Sequence, residues 1–169
     1  MGAILPREVF LATAKRSTRA RRAARTLQLA VQIAAQDNGL PGSATVRRWA
    51  RAALAGALAR VTIRIVDETE GRRLNRTYRG RNHATNVLSF AYDSSGGAVC
   101  GDVVLCAPVV RREAGRQGKE ADAHFAHLVV HGLLHLQGYD HDKPRAAKTM
   151  ESLETEILAK LGYPDPYRS

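Results

Sequence analysis

The chain has 169 residues, of which 44% are hydrophobic and 25% are charged, so its composition indicates one domain with a substantial core. No apolar run approaches the ~20 residues needed to cross a bilayer, which argues against a membrane protein. The two cysteines, Cys100 and Cys106, do not make a disulfide framework. They are typical of strand residues in a reducing compartment, so we predict a cytoplasmic location.

The net charge of +10 is concentrated near the N-terminus. Residues 1–60 hold 11 Lys and Arg against two acidic residues, whereas residues 61–169 have a net charge of only +1. This gradient favours a polyanionic partner, because binding phosphates releases condensed counterions, although basic tails also serve solubility alone. No long apolar segment follows the cluster KRSTRARRAAR, so a secretory signal is not indicated. We predict a basic, flexible extension over residues 1–25 and one domain over residues 26–169.

The first half of the domain begins with a strand, a helix and a second strand. Alternating apolar residues predict a strand over residues 26–34. After a Gly- and Pro-rich turn, Ser43 is predicted to cap an amphipathic helix that runs to about Ala59. A second strand is predicted over residues 61–66.

A second helix and a hairpin follow. Asp67 with Glu70 resembles a capping box, which predicts a helix that runs to about Tyr78. Strands are predicted over residues 87–92 and 99–106. The short connection between them predicts an antiparallel pair.

Three helices complete the chain. Pro108 is well placed in the first turn of a helix that ends near Gly118, a second helix is predicted over residues 120–137, and Pro144 begins the last one, ended by Gly162. The resulting order is β-α-β-α-β-β-α-α-α. It predicts the α/β (α+β) class: a single domain with a small, mixed four-stranded sheet packed against helices.

A metal-binding pattern lies in the helix predicted over residues 120–137 and in the turn after it. His131 and His135 are four residues apart, which places them on one face of a helix, about one turn apart. Gly138 predicts a left-handed helix end, after which His141 can return toward the other two. Three imidazoles with one open position are the layout of a catalytic zinc site. We therefore predict one bound Zn²⁺, although imidazole also suits nickel, copper or iron.

Neighbouring residues qualify this prediction. His127 lies one turn before His131 and could bind the metal, support a ligand or pack; the last two roles are favoured, because three ligands already complete the site. The histidine spacing also equals that of the metzincin peptidases, HExxHxxGxxH. Here Gly132 occupies the position of their catalytic glutamate, so the usual base for peptide hydrolysis is absent. A peptidase is disfavoured, and a phosphodiester, whose charge a metal and a cation stabilise directly, is favoured.

The segment HGLLHLQGYDH closely resembles the signature of the YbeY endoribonucleases, a family of bacterial rRNA maturation factors. Further segments resemble other blocks of this family, so that the similarity covers roughly residues 26–167. These segments are LNRTYRG (74–80), TNVLSF (85–90), GDVV (101–104) and the helix with Met150-Glu151 and Leu153-Glu154.

The resemblance implies a compact metalloprotein that cuts single-stranded RNA. It implies a role in rRNA maturation, including the 16S rRNA 3′ end, and in ribosome quality control. The implied partners are rRNA precursors and the ribosome or its small subunit, with no DNA. His131, His135 and His141 match the zinc ligands, and Arg79 matches the catalytically important arginine. A guanidinium can clamp a phosphate through two hydrogen bonds and stabilise charge in the transition state.

Four other polar residues have less defined roles. Asp140 is predicted either to orient a ligand imidazole or to cap the turn between Tyr139 and His141. Asn86 and Ser89 border the block that follows Arg79 and are candidates for contacting substrate or ligands. Asp102, isolated in an apolar strand, is predicted either to hydrogen-bond within the core or to face the cleft.

Two questions stay open at the level of sequence. A non-catalytic, metal-stabilised ribosome assembly factor is the alternative to an enzyme, motivated by the absent glutamate and the basic extension. For an enzyme, the nucleophile is either a metal-activated water or the 2′-hydroxyl of the substrate.

Overall fold

The computed structural model describes residues 27–93 and 96–168, which form one mixed sheet packed against helices. The element order and the α/β (α+β) class predicted from the sequence are confirmed. Residues 1–25 lie outside the described residues, so their role as an extension stays a prediction. The elements are β1 (Gln28–Ile33), α1 (Ser43–Leu54), β2 (Ala59–Val66), α2 (Glu68–Arg79), β3 (Val87–Ala91), β4 (Val99–Cys106), α3 (Ala107–Arg116), α4 (Ala121–Leu136) and α5 (Pro144–Lys160).

The four strands lie in the order β1-β2-β4-β3. Strands β1, β2 and β4 are parallel, and β3 is antiparallel to β4, with Ser89 opposite Val103. The predicted antiparallel hairpin is therefore confirmed. Strand β3 is at one edge of the sheet, so no other strand of the described residues pairs with its outer side.

Helix α4 is the central helix of the core. It is apolar on nearly all sides, and such a helix has to be covered on nearly all sides. Helices α1, α3 and α5 and strands β3 and β4 all contact it, and Phe125, Val129 and Leu133 are almost fully buried. Neither α4 nor any other helix in the described part of the chain has both the length and the apolar character to cross a membrane.

Two glycines bring α4 unusually close to the sheet. A Cβ atom at Gly132 of α4 would lie 2.7 Å from Val103 Cγ1 of β4. A Cβ atom at Gly101 of β4 would lie 2.3 Å from the Phe90 carbonyl oxygen and 2.7 Å from Leu136 Cδ2. Real Cβ atoms do not tolerate such contacts, so both positions require glycine for this packing. The close approach places the C-terminal half of α4 directly beside edge strand β3.

The end of α1 differs from the prediction. The helix ends at Leu54 rather than near Ala59, which already begins β2. Ala55 has a left-handed backbone (φ 47°), and Gly56 follows with φ 80°. A left-handed residue satisfies the last helical carbonyls and stops the helix, and the helix-forming alanines around Gly56 obscured this signal in the sequence.

The two predicted caps also differ from the structure in part. The predicted cap at Ser43 is wrong, since Gly42 is the N-cap of α1 and provides no side-chain hydrogen bond. At α2, Asp67 Oδ1 accepts a hydrogen bond from the Glu70 backbone N–H at 2.8 Å, as expected for a capping box. The Glu70 carboxylate, however, accepts two hydrogen bonds from Arg64, at 2.9 and 3.0 Å. A cation within reach offers the carboxylate a stronger partner than a backbone N–H.

Candidate active site

A cleft of about 390 Å³ lies between α4, edge strand β3 and the C-terminal end of α2. Its apolar lining comes from Leu136 of α4 and from edge strand β3, where it is formed by Val87, Leu88 and Ala91. Its polar lining residues are Arg79, Asn86, Ser89, His131, His135 and His141.

The three predicted ligands converge at one end of the cleft. His131 and His135 project from the last turns of α4, which ends before Gly138 in the left-handed conformation (φ 92°). The Nε2 atoms of His131 and His135 are 3.1 Å apart. His141 Nδ1, after the turn, is also 3.1 Å from His135 Nε2, and all three nitrogens lie within 4.8 Å of one another. The structure therefore brings the three residues together.

The donor atoms of this cluster suit a tetrahedral metal ion. Bonds of about 2.0–2.1 Å to zinc place two ligand nitrogens about 3.3 Å apart, close to the observed distances. His135 Nδ1 hydrogen-bonds to the Tyr139 carbonyl oxygen at 3.0 Å, and His131 Nδ1 hydrogen-bonds to Glu154 Oε1 at 2.5 Å. These oxygens only accept, so the Nδ1 atoms carry the protons and both Nε2 lone pairs are available to a cation.

Local electrostatics favour the neutral form of His135. Burial lowers the pKa of His135, and the neighbouring His131 and His141 rings lower it further. A metal ligand must be unprotonated, so this shift prepares His135 to bind a cation near neutral pH.

Glu154 of α5 is a functional candidate that sequence reasoning did not single out. Its side chain is fully buried, and it faces His131 and His127 of α4 and Tyr167 of the C-terminal segment. Burial raises the pKa of Glu154, but hydrogen bonds from these three side chains outweigh it and lower the pKa to about 2. The carboxylate is therefore ionised and supports a ligand histidine from behind.

A signal for Glu154 is present in the sequence. Glu154 lies four residues after Met150 and four before Leu158, both buried on the inner face of α5. A carboxylate within an apolar stripe must find partners inside the fold. Its partners lie on other elements, however, so the stripe identifies a buried acid without identifying what it contacts.

Arg79 lines the same cleft as the three histidines. It is the last residue of α2, and its Nη2 donates a hydrogen bond to the Ser89 carbonyl oxygen of β3 at 3.0 Å. Its guanidinium carbon is 5.6 Å from the centre of the Phe90 ring. Within the described residues its other N–H groups have no hydrogen-bond partner. The guanidinium is thus held at the cleft with donors left for a ligand.

The sequence profile of the family described as Endoribonuclease YbeY matches residues 15–162. The chain belongs to this family. Among its relatives is the Endoribonuclease YbeY of Aromatoleum aromaticum, 63% identical over 127 residues that cover 75% of this chain and 81% of the relative. That of Nitrosomonas europaea is 55% identical over 141 residues, covering 83% and 85%. The predicted family is confirmed.

A solved structure shares the fold of this YbeY family member. The solution structure of TM1509 from Thermotoga maritima aligns with a TM-score of 0.53 and 21% sequence identity. The alignment covers 82% of this chain and 99% of the other. The family profile starts at residue 15, inside the segment predicted as the basic extension, so the domain boundary at residue 26 stays a prediction.

Asn86 and Ser89 line the cleft of this YbeY family member with side chains already engaged. Asn86 Oδ1 accepts a hydrogen bond from the Val87 backbone N–H at 2.7 Å, and its Nδ2 donates to Glu113 at 2.9 Å. Ser89 Oγ is 3.4 Å from the Gly132 carbonyl oxygen. These bonds hold β3 against α3 and α4, which indicates support of the cleft wall.

The structure favours a different kind of contact for each of the two aspartates, Asp140 and Asp102. Asp140 Oδ1 accepts hydrogen bonds from the backbone N–H groups of His141 at 2.6 Å and Asp142 at 3.2 Å, so its geometry favours the turn-capping alternative. The bonds from Asp142 and then His141 lower the pKa of Asp140. Asp102 accepts a hydrogen bond from the Tyr92 hydroxyl at 2.5 Å and does not line the cleft.

The two upstream histidines of α4 lie outside the three-histidine cluster. His124 Nε2 is 2.9 Å from Glu113, and His127 Nε2 is 3.4 Å from Glu154. His127 with His131 and Glu154 forms a second group that could hold a metal. His131 Nδ1 and Glu154 are already bonded to each other, which favours the supporting role for His127.

The structure also bears on the peptidase alternative. Gly132 points toward β4, where even a Cβ atom would lie 2.7 Å from Val103. A glutamate at this position would point into the sheet rather than into the cleft. The position that carries the base in metzincins therefore has no route to a substrate in this YbeY fold.

Proposed function

We propose that the chain is a zinc-dependent endoribonuclease that cleaves single-stranded RNA during ribosomal RNA maturation. Membership of the Endoribonuclease YbeY family makes it an enzyme that acts on RNA. The observation that carries the metal dependence is the convergence of the ring nitrogens of His131, His135 and His141 within 4.8 Å of one another.

The three histidines would hold one divalent cation at the end of the cleft. When bound, zinc supplies Lewis-acid chemistry, polarising a phosphoryl oxygen and lowering the pKa of water to about 7. Arg79, in the same cleft, would bind the scissile phosphate and stabilise the charge that grows on it. Because Arg79 is tethered to the Ser89 carbonyl oxygen, its donors are oriented before the substrate arrives.

Surface charge supports RNA as the substrate. The acidic residues of α2 are already paired, Glu68 with Arg112 at 2.8 Å and Glu70 with Arg64 at 2.9 Å. The exposed surface of α2 and the following loop therefore presents mainly cations, and one of them, Arg79, lines the cleft. A single strand can place successive phosphates along such a surface. The exposed cations here are Arg72, Arg73, Arg76, Arg79 and Arg81.

The biological setting forms part of the proposal. The resemblance to the family motifs supports a role at the 16S rRNA 3′ end and in ribosome quality control, with the small subunit as partner and the cytoplasm as location. Mapping of rRNA ends in cells depleted of the protein tests this role. Unprocessed 3′ ends are the expected result, and correct ends in depleted cells contradict it.

Two nucleophiles are compatible with this site, and the product termini distinguish them. Attack by the substrate 2′-hydroxyl leaves a 2′,3′-cyclic phosphate and a 5′-hydroxyl. Attack by water leaves no cyclic phosphate. In the first route the metal and Arg79 act only as electrostatic stabilisers, whereas in the second the metal also activates water.

Metal removal and restoration test the proposed function directly. We expect one zinc per chain, loss of cleavage of an unstructured RNA after chelation, and recovery with added zinc. A matched duplex of the same sequence should be cut far more slowly. Cleavage that continues in metal-free protein would contradict zinc dependence. A metal-containing protein without RNase activity would instead favour the assembly-factor alternative.

A further inference from the structure

The segment after α5 folds back over α4 and is fixed at several points. The Tyr163 hydroxyl donates a hydrogen bond to Asp122 at 2.7 Å and accepts one from Trp49 Nε1 at 3.1 Å. Lys119 Nζ donates to the Pro166 carbonyl oxygen at 2.6 Å. The Lys119 contact, one residue before Tyr167, holds Tyr167 beside α4 and α5.

Tyr167 reaches the carboxylate behind the histidine cluster. The residue is 47% exposed, but its hydroxyl donates a hydrogen bond to Glu154 Oε2. The other oxygen, Glu154 Oε1, is 2.5 Å from His131 Nδ1. His127 Nε2 is farther away, at 3.4 Å from both Glu154 Oε2 and the Tyr167 hydroxyl. The two oxygens of Glu154 thus serve different partners.

We propose that Tyr167 and Glu154 act together as positioning residues for the metal centre: the Tyr167 hydroxyl fixes the Glu154 carboxylate, which fixes the tautomer and the ring orientation of His131. This inference rests on the proposed metal site. It adds that the C-terminal segment, which lies outside the three-histidine motif, helps to set the geometry of that site.

The physical reason lies in what the carboxylate would do without the hydroxyl. No lysine or arginine is among the hydrogen-bond partners of Glu154 within residues 27–93 and 96–168. Without Tyr167, its Oε2 keeps only the long contact to His127, and the carboxylate is free to rotate toward that ring. His131 then loses the acceptor that holds its proton on Nδ1 and keeps Nε2 directed at His135. Loss of such supporting hydrogen bonds typically weakens metal binding about 10–100-fold.

A second metal ion at His127, His131 and Glu154 would be a different use of the same atoms. It would require His131 to bind a metal through each ring nitrogen, although Nδ1 carries the proton donated to Glu154. The positioning role needs no such deprotonation. The number of zinc ions bound per chain separates the two.

The test compares two tyrosines of the same segment in the full-length protein. Tyr167→Phe removes only the hydroxyl that contacts Glu154. Tyr163→Phe removes a hydroxyl that donates to Asp122, a carboxylate away from the site. We expect zinc affinity, measured by chelator competition, to fall about 10-fold in Tyr167→Phe and to change less than about 2-fold in Tyr163→Phe.

A spectroscopic readout reports on His131 itself. The His131 Nδ1–H proton, bonded to a carboxylate, should give a strongly downfield NMR signal in the zinc-bound protein. We expect this signal to shift in Tyr167→Phe and to be unchanged in Tyr163→Phe. Glu154→Gln should weaken zinc binding more than Tyr167→Phe, because the acceptor itself loses its charge. If Glu154→Gln does not fold, the pair of tyrosine variants decides the question.

The outcomes separate this inference from the proposed function. Equal zinc affinity and an unchanged His131 signal in wild type and Tyr167→Phe overturn the positioning role and leave the metal site standing. Equal weakening in Tyr163→Phe also overturns it, because the effect is then general loosening of the segment. Two zinc ions per wild-type chain overturn it in favour of Glu154 as a ligand. A wild-type protein that binds no zinc overturns both proposals.

Discussion

The two halves of α4 each carry two histidines about one helical turn apart, three residues apart in the N-terminal half and four in the C-terminal half, and their surroundings differ. In the N-terminal half, His124 and His127 each direct one nitrogen at a carboxylate, and the other nitrogen is buried with no partner among the described residues. In the C-terminal half, the Nε2 atoms of His131 and His135 face each other, 3.1 Å apart. Spacing alone does not identify a metal ligand. What matters is whether the free nitrogens of several rings point at one place.

Exchanging one histidine from each half should give the largest contrast. We expect His135→Ala to lose the zinc and all detectable RNA cleavage, while its stability in chelator changes by less than about 1 kcal/mol. His124→Ala should keep one zinc per chain. Its free energy of unfolding should fall by about 1–3 kcal/mol, because Glu113 loses a buried partner. Metal analysis, RNase assays and urea unfolding measure these effects. Zinc loss in His124→Ala would break the comparison.

The role of Arg79 in the cleft can be tested without changing a metal ligand. Arg79→Ala should reduce cleavage about 10²–10³-fold, as expected when a donor to developing charge is removed, and leave the zinc content unchanged. Arg79→Lys should recover little, because an ammonium cannot form the paired contact. Arg48→Ala, at an exposed arginine of α1, is the control and should keep nearly full activity. Equal losses at both positions would argue against a specific role for Arg79.

The N-terminal extension is expected to contribute through charge rather than through the site. Residues 1–25 contain seven Lys and Arg and one acidic residue. Their deletion should weaken single-stranded RNA binding and flatten its salt dependence, by about 0.7 in log–log slope for each phosphate that is no longer neutralised. Fluorescence anisotropy at several salt concentrations measures the slope. Equal slopes for the full-length and truncated proteins would remove this idea.

Cations near the cleft should matter more than cations elsewhere on the domain. Exchanging Arg76 and Arg81 for alanine should lower the same salt slope by about 1.4, equivalent to two neutralised phosphates. The control is the same double exchange at Arg48 and Arg51, exposed on α1. We expect little change from that pair. A larger effect on α1 would place the RNA path on another face of the molecule.

The smallest expected effect concerns the pH dependence of stability. Burial lowers the pKa of His124, despite the opposing hydrogen bond to Glu113. As the pH falls, the unfolded chain therefore protonates His124 before the folded protein does. The contribution of neutral His124 to stability is complete above the usual histidine pKa of about 6.5 and is lost as the pH falls below it. His124→Gln should flatten the dependence by up to about 1.4 kcal/mol per pH unit.

Urea unfolding in chelator between about pH 7.5 and 5.5 measures this difference. The exposed His83, in the loop after α2, provides the control through His83→Gln. An unchanged slope in His124→Gln, or an equal change in His83→Gln, would contradict the assignment.

The sequence predicted what depends on neighbours along the chain. Periodicity and turn residues suffice for the order of elements and the hairpin, because both are set over short stretches. His131, His135 and His141 were predictable for the same reason, since one helix turn and Gly138 determine how they meet. The end of α1 was missed because alanine-rich periodicity continues past Gly56. The Glu70 interaction was missed because its partner, Arg64, is on a different element.

Contacts between distant elements could not be derived from residues alone. Glu154 approaches His131 only because α5 packs on α4, and Tyr167 arrives from a segment that periodicity does not place. Arg79 reaches the cleft of the histidines beside β3, and the strand order puts β3 at the edge. At the level of sequence, only the family resemblance indicated a role for Arg79.

The close packing of α4 on β4 at Gly101 and Gly132 affects how the protein unfolds. Gly132 lies against the Val103 side chain of β4, and the Leu136 side chain lies against Gly101, so the helix turn that carries the histidines has little room to separate from the sheet while the sheet persists. Amide hydrogens near His131 should therefore exchange only in molecules that have opened completely. Metal binding would then stabilise the entire domain against unfolding and slow its degradation.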